Sequence, residues 1–319
     1  MSTARVYTDF LGAEYLAEYV AGGGAAVKFV VPPDDDTAQD LSAHLLQTAT
    51  EHGFASARVD AVTTRIHLMD QVFSDVARQT DWRALARTAV REAAIAAGFP
   101  PGDGDDGTLT AAALAARHAV DVTELTRDVN RELQQRIMRD YQMTQEFRVA
   151  MLRLCQAELA TGQVTDAERE AVLAWLTGEL RQLSALRSAM IFRRIGRHNA
   201  RSLLFSLARW LSTTGHAGLV LELDIRRLGF ARRPLPEERN GLYYTKAALL
   251  DAYELLRQLV DNTDELGHCA VVVVAAPEFL TDEARGVAAY QALKLRVHDE
   301  VRDRRRQNPF ASLVRLEAS

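Results

Sequence analysis

The stretch Gly218-Leu219-Val220-Leu221-Glu222-Leu223-Asp224-Ile225-Arg226-Arg227 limits the fold more than any other part of the chain. Apolar residues run almost unbroken into one acid. A strand buried on both faces reads this way, and such strands belong to parallel sheets covered by helices. Ligands of open α/β sheets gather at C-terminal strand ends, which is where Asp224 falls. Cys269 to Ala275 is a second run of this kind. Ala25 to Val31 is a third strand, with Lys28 on one sheet face, and Pro32-Pro33 ends it because proline cannot donate to the ladder. Phe54 to Val62 alternates, and Ser312 to Leu316 closes the set.

Helical patterns separate these strands. They cover Tyr7 to Val20, a segment that starts at Asp34-Asp35-Asp36-Thr37 and stops near Gly53, then Tyr244 to Val260 and Gly286 to Arg305. The middle of the chain has little strand signal. Helices are expected there over Met69–Gln79, Trp82–Ala97, Ala111–Ala119, Val122–Ala160 and Asp166–Leu183, with a flexible acidic loop from Pro100 to Gly107. The apolar stripe Leu125, Val129, Leu133, Ile137, Tyr141, Phe147, Met151, Leu154 and Cys155 packs inside a helical subdomain on this reading, with a partner-facing helix as the alternative. The expected organisation is an α/β core in two parts, 1–68 and 201–319, around a helical insertion, 69–200.

The net charge of −5 over 319 residues gives no overall attraction to nucleic acid or to anionic membranes. Cys155 and Cys269 both sit in apolar patterns, so two buried free thiols are expected, as in a reducing cytoplasm. No apolar run approaches the ~20 residues that span a bilayer. The histidines and cysteines show no local zinc spacing.

A hydrophobic strand ending in Asp is the signal of the magnesium-holding strand in P-loop NTPases. The residue after it is the water-activating Glu in many ATPases of the additional-strand type, and here it is Ile225. A phosphate-binding loop, G-x-x-x-x-G-K-[ST], should follow the first strand. The sequence there is Val30-Val31-Pro32-Pro33-Asp34-Asp35-Asp36-Thr37. Both glycines are missing, Asp36 stands in the lysine's place, and only Thr37 fits. Each carboxylate beside a triphosphate would cost about 3 kcal/mol at ~5 Å and an effective dielectric near 20. The plain alternative is a well-capped helix start with no ligand, with Asp224 paired to Arg226 or Arg227 and Glu222 a buried partner of an arginine.

At the end of the Cys269–Ala275 strand, Ala276 replaces the polar sensor residue, and Glu278 is the local acid that could act as a base or cap a turn. Arg285 and Arg296 follow, each a candidate finger toward a neighbouring subunit's nucleotide or an ion-paired surface residue. Magnesium is the cofactor the acids suggest, while the loop argues against ATP binding. A reworked cleft is a second reading, with Asp34, Asp35, Asp36, Asp224 and Glu278 converging on a metal or small molecule. A third, a DNA-binding regulator, rests on the arginines of 193–201 and 302–306.

Several pieces in order carry a family likeness. They are Trp175-Leu176-Thr177-Gly178-Glu179, the stretch Leu203 to Leu223, and Tyr253-Glu254-Leu255-Leu256-Arg257-Gln258-Leu259-Val260-Asp261. Val274-Ala275-Ala276-Pro277-Glu278-Phe279-Leu280, Arg285-Gly286, Tyr290, Leu293, Arg296, Asn308-Pro309 and Arg315-Leu316-Glu317 continue the series. Together they resemble the BREX-system ATP-binding proteins of bacteria, BrxD-like P-loop proteins. The resemblance implies a RecA/AAA-like P-loop NTPase fold and a place in a multi-gene phage-defence system. The departures fall on nucleotide-handling positions: Pro33 to Thr37, Ile225 and Ala276. The expected protein is therefore a catalytically degenerate scaffold or regulatory subunit, assembled with an intact P-loop ATPase or with copies of itself.

Overall fold

The computed structural model describes residues 3–102, 109–230, 240–298 and 310–317. The acidic loop at 103–107, the arginine run at 302–306 and the Asn308-Pro309 pair lie outside the described residues. Five strands form one sheet: β1 (Ala25–Val31), β2 (Ala55–Asp60), β3 (Leu219–Asp224), β4 (Cys269–Val274) and β5 (Leu313–Arg315). Their order is β2-β3-β4-β1-β5, and every neighbouring pair is parallel. β4 thus lies between β1 and the acid-tipped β3, which is the additional-strand arrangement of a P-loop NTPase-like fold. Every residue of β1, β3 and β4 is buried, as their valine-rich runs require of central parallel strands. The edge strands differ. β2 exposes Arg58 between buried Ala57 and Val59, and β5 has three residues.

Local chemistry fixes the strand entries. Gly218 holds φ +149°, and a Cβ there would lie 2.1 Å from the His268 carbonyl oxygen. Only glycine lets the chain pass that close to β4 before Leu219 donates to the same oxygen at 2.9 Å. The helix Asp35–Glu51 joins β1 to β2 and buries Leu41, Leu45 and Ala49 in a core shared with Leu16, Val20, Val220 and Val272. Lys28 is buried inside β1 and donates to the Tyr15 hydroxyl (2.6 Å) and to the carbonyls of Phe310 and Ala311 (2.8 and 3.1 Å). Burial pushes its amine down to about 8. It braces β1 against the segment before β5 and has no role at the strand ends.

The chain divides into two compact units, Met1–Val76 with His216–Ser319, and Ala77–Gly215. The first carries the sheet and the second is helical. The helix Ala200–Ser212 clusters with the helical unit, beyond the expected boundary at 200. Ser206 Oγ accepts from the Thr144 amide (3.0 Å), and Arg209 pairs with Asp140 (2.8 Å), tying that helix to the 140–144 turn. The same turn splits the expected long helix into Val122–Met138 and Gln145–Glu158. Asp140 accepts the Gln142 amide, and Thr144 is extended at the head of the second helix. Leu125, Val129, Leu133, Ile137, Phe147, Met151 and Leu154 are buried in this unit, while Tyr141, at the break, is 82% exposed.

The helix expected from Asp166 ends at Leu176, before Gly178 at φ +78°. That expected from Gly286 is a short turn, Val287–Ala289, followed by a helix over Gln291–Val297. Both cysteines are buried and free, and burial holds the Cys269 thiol up at about 12. Among the described residues no helix is long and apolar enough to cross a membrane.

Candidate functional site at the strand ends

The turn leaving β1 is Pro32-Pro33-Asp34, and the helix begins at Asp35. Three residues cannot wrap a triphosphate, and two of them have no N–H to offer it. The helix start is also taken. Asp34 Oδ1 accepts the Thr37 amide at 2.7 Å. An anion would be drawn to this positive helix end, and the chain's own carboxylate holds it instead. The Thr37 hydrogen bonds hold the Asp34 carboxyl below the usual carboxylate range. Thr37 is buried, while Asp35 and Asp36 are exposed.

Asp224 ends β3 with a side chain only 4% exposed. Its Oδ1 accepts the Arg226 amide (3.1 Å) and Arg226 Nε (3.0 Å). Its Oδ2 accepts Arg58 Nη2 (3.0 Å) and Arg226 Nη2 (2.7 Å). A carboxylate has about four lone-pair positions, and all four are occupied. Arg226 reaches back because a tight turn, Arg226–Gly229, follows the strand directly. Its Nη1 also bonds Asp35 Oδ1 at 2.5 Å. Arg58 comes from β2, in register with Glu222, and its Nε lies 3.2 Å from Glu222 Oε1. Ser42 Oγ donates to the same oxygen at 2.5 Å.

A continuous relay therefore runs Asp35–Arg226–Asp224–Arg58–Glu222–Ser42. It ties the helix Asp35–Glu51 to β2 and β3 at two points. Burial alone would raise the Asp224 carboxyl, but the hydrogen bonds and charge of Arg226, with Arg58, outweigh it and hold the group below the usual range. Glu222 goes the other way. Burial raises its carboxyl, and Ser42 and Arg58 only partly oppose this.

A family model described as "BREX system ATP-binding protein BrxC/D" matches residues 16–318. The chain belongs to this family. It is thereby a component of a bacterial phage-defence system. No curated protein and no solved structure matches the chain.

The strand ends of this BrxC/D-family chain do not fit a magnesium-bound triphosphate. The metal requires an oxygen at about 2.1 Å, and the Asp224 oxygens are filled by two guanidinium groups and the Arg226 amide. Ile225, in the place of the water-activating acid, is 2% exposed and donates its amide to Val274 O. Glu278 is exposed at the head of a four-residue helix, Glu278–Thr281, and no contact joins it to the relay among the described residues.

The five acids read as a possible shared cluster are thus placed differently. Asp35 and Asp224 share Arg226, Asp34 caps a helix, and Asp36 and Glu278 face solvent. Among the described residues no group of three or more His, Cys, Asp or Glu is placed to hold a metal ion. Arg285 is 8% exposed and donates to Leu228 O (3.0 and 3.1 Å) and Tyr244 O (2.8 Å), so its guanidinium braces loops inside its own unit. Arg296 bonds Asp261 and Ala292 O. Sequence reasoning anticipated the Asp224–Arg226 pair but missed Arg58, Ser42 and the bridge to Asp35. The alternation in β2 marks Arg58 as facing away from Ala57 and Val59, but nothing local sets its register against Glu222.

Proposed function

We propose that this BrxC/D-family chain is a non-hydrolysing scaffold or regulatory subunit that works in the cytoplasm with an intact P-loop ATPase of the same defence system. The saturation of Asp224 by Arg58 and Arg226 carries this reading. In a working ATPase the acid at this strand end meets nucleotide through a metal, so the loop after β1 and the tip of β3 are joined only while nucleotide is bound. In this chain Arg226 makes that connection through side chains alone, from Asp224 to Asp35. The joined state then needs no nucleotide. A subunit of this kind offers its partner a constant surface while the partner cycles.

Co-expression with the P-loop ATPases encoded beside it, followed by size-exclusion chromatography and ATP-turnover assays, tests the proposal. A stable complex with altered turnover by the partner is expected. ATP hydrolysis by this chain alone, or no complex with any of those ATPases, would refute it.

A further inference from the structure

From Leu180 to Leu221 the sequence holds seven arginines and no aspartate or glutamate, in a chain of net charge −5. Within this stretch lies the irregular segment 187–199 of the helical unit, between the short turn Leu183–Leu186 and the helix Ala200–Ser212. Its side chains alternate. Ala189 and Ile191 are fully buried, whereas Met190 and Phe192 are 62% and 60% exposed. The backbone that presents them is pinned. Trp175 Nε1 donates to Arg193 O (2.9 Å), and Arg153 Nη2 donates to Ser188 O (3.0 Å). The Asn199 side chain accepts the Gly196 amide and donates to Arg194 O. Met190 sits at φ +59°, a left-handed conformation that a β-carbon disfavours and that the surrounding bonds hold in place.

The charges beside Phe192 are poorly neutralised. Arg193 is 73% exposed, with Glu146 at 3.9 Å. An exposed pair at that distance has little energy. Arg194 donates to a carbonyl, Arg181 O, at 2.6 Å. Arg187 and Arg197 are exposed and have no ion pair among the described residues. A ligand for this surface needs repeated negative charge and an accessible flat apolar face. Unpaired nucleic acid has both, since every base presents a π-face once it leaves a duplex. A duplex hides those faces, an acidic peptide lacks them, and a membrane calls for a broad amphipathic helix.

We propose that the 187–199 segment binds single-stranded nucleic acid, with Phe192 stacking on a base and Arg193, Arg194 and Arg197 meeting phosphates. The proposal stands on the helical unit alone and does not rest on the reading of the strand ends. Fluorescence anisotropy of the full chain with a labelled oligodeoxythymidine of roughly 16 nucleotides tests it. Raising salt from about 50 to about 200 mM should weaken binding about 20-fold, as expected for about three phosphate contacts. Phe192→Ala should weaken it about tenfold. The double variant R193A/R197A should lower the slope of log affinity against log salt by about 1.4. Both variants change exposed side chains, and circular dichroism should show an unchanged fold. Three results would overturn the proposal: no binding at about 50 mM salt, an unaltered affinity in Phe192→Ala, or equally tight binding of a duplex or of polyglutamate.

Discussion

Arginine is used in opposite ways in the two units. At the strand ends, Arg58 and Arg226 converge on Asp224, whose side chain is 4% exposed, and their donors fill its oxygens. In the 187–199 segment the arginines stand in solvent, with the nearest acid of Arg193 at 3.9 Å. The first set is structural because an acid lies in register beside it. The second is available because the sequence withholds acids for some forty residues around it. Removing a partner from a buried charge leaves that charge unpaired at high cost, whereas a solvated charge loses little. Counting basic residues cannot separate these cases, but the position of the nearest carboxylate does.

That contrast can be broken most sharply at Arg226. Arg226→Ala should destabilise the protein by about 3 kcal/mol in urea unfolding, because the buried Asp224 loses its main guanidinium partner and keeps only Arg58 and the residue-226 amide. A loss below about 0.5 kcal/mol would make the relay a surface pairing like any other. Arg58→Ala should cost less, about 1 kcal/mol, since its side chain is 43% exposed and Arg226 remains on Asp224.

Acid titration of stability sharpens the comparison further. Asp224 ionises more readily in the folded protein than in the unfolded chain, so its contribution is complete above the ordinary carboxylate range and fades as pH falls through its depressed value. Asp224→Asn should flatten the stability curve in that acid window. Glu222 has a raised carboxyl, so its contribution is present at low pH and declines as pH climbs through the raised value. Glu222→Gln should remove that decline. The smallest effect belongs to the other unit: Arg187→Ala and Arg197→Ala should each change stability by less than about 0.5 kcal/mol. A larger loss would mean those arginines are tied into the fold.

The strands were legible because buried parallel runs are long, apolar and bounded, as at Val271–Val274 and Leu219–Leu223. Several helix starts preceded by a capping acid or threonine were legible, as after Thr110, Asp121 and Thr165. The break after Met138 was not, because the apolar stripe continues in phase across it while Asp140 and Thr144 act through contacts with Arg209 and Ser206 far along the chain. The relay was half legible. Asp224 and Arg226 are two residues apart and could be paired on paper. Arg226 and Asp35 are 191 residues apart, and Arg58 finds Glu222 only through strand register. The exposure of Phe192 was hidden for a similar reason, since burial of its neighbours Ala189 and Ile191 depends on tertiary packing.

The central claim is that internal charge pairs have replaced the nucleotide grip at the ends of β1 and β3. Isothermal titration of the purified chain with magnesium and ATP tests it directly. No saturable heat is expected up to about 1 mM nucleotide. Saturable binding at micromolar concentrations that disappears in Asp224→Asn would contradict it.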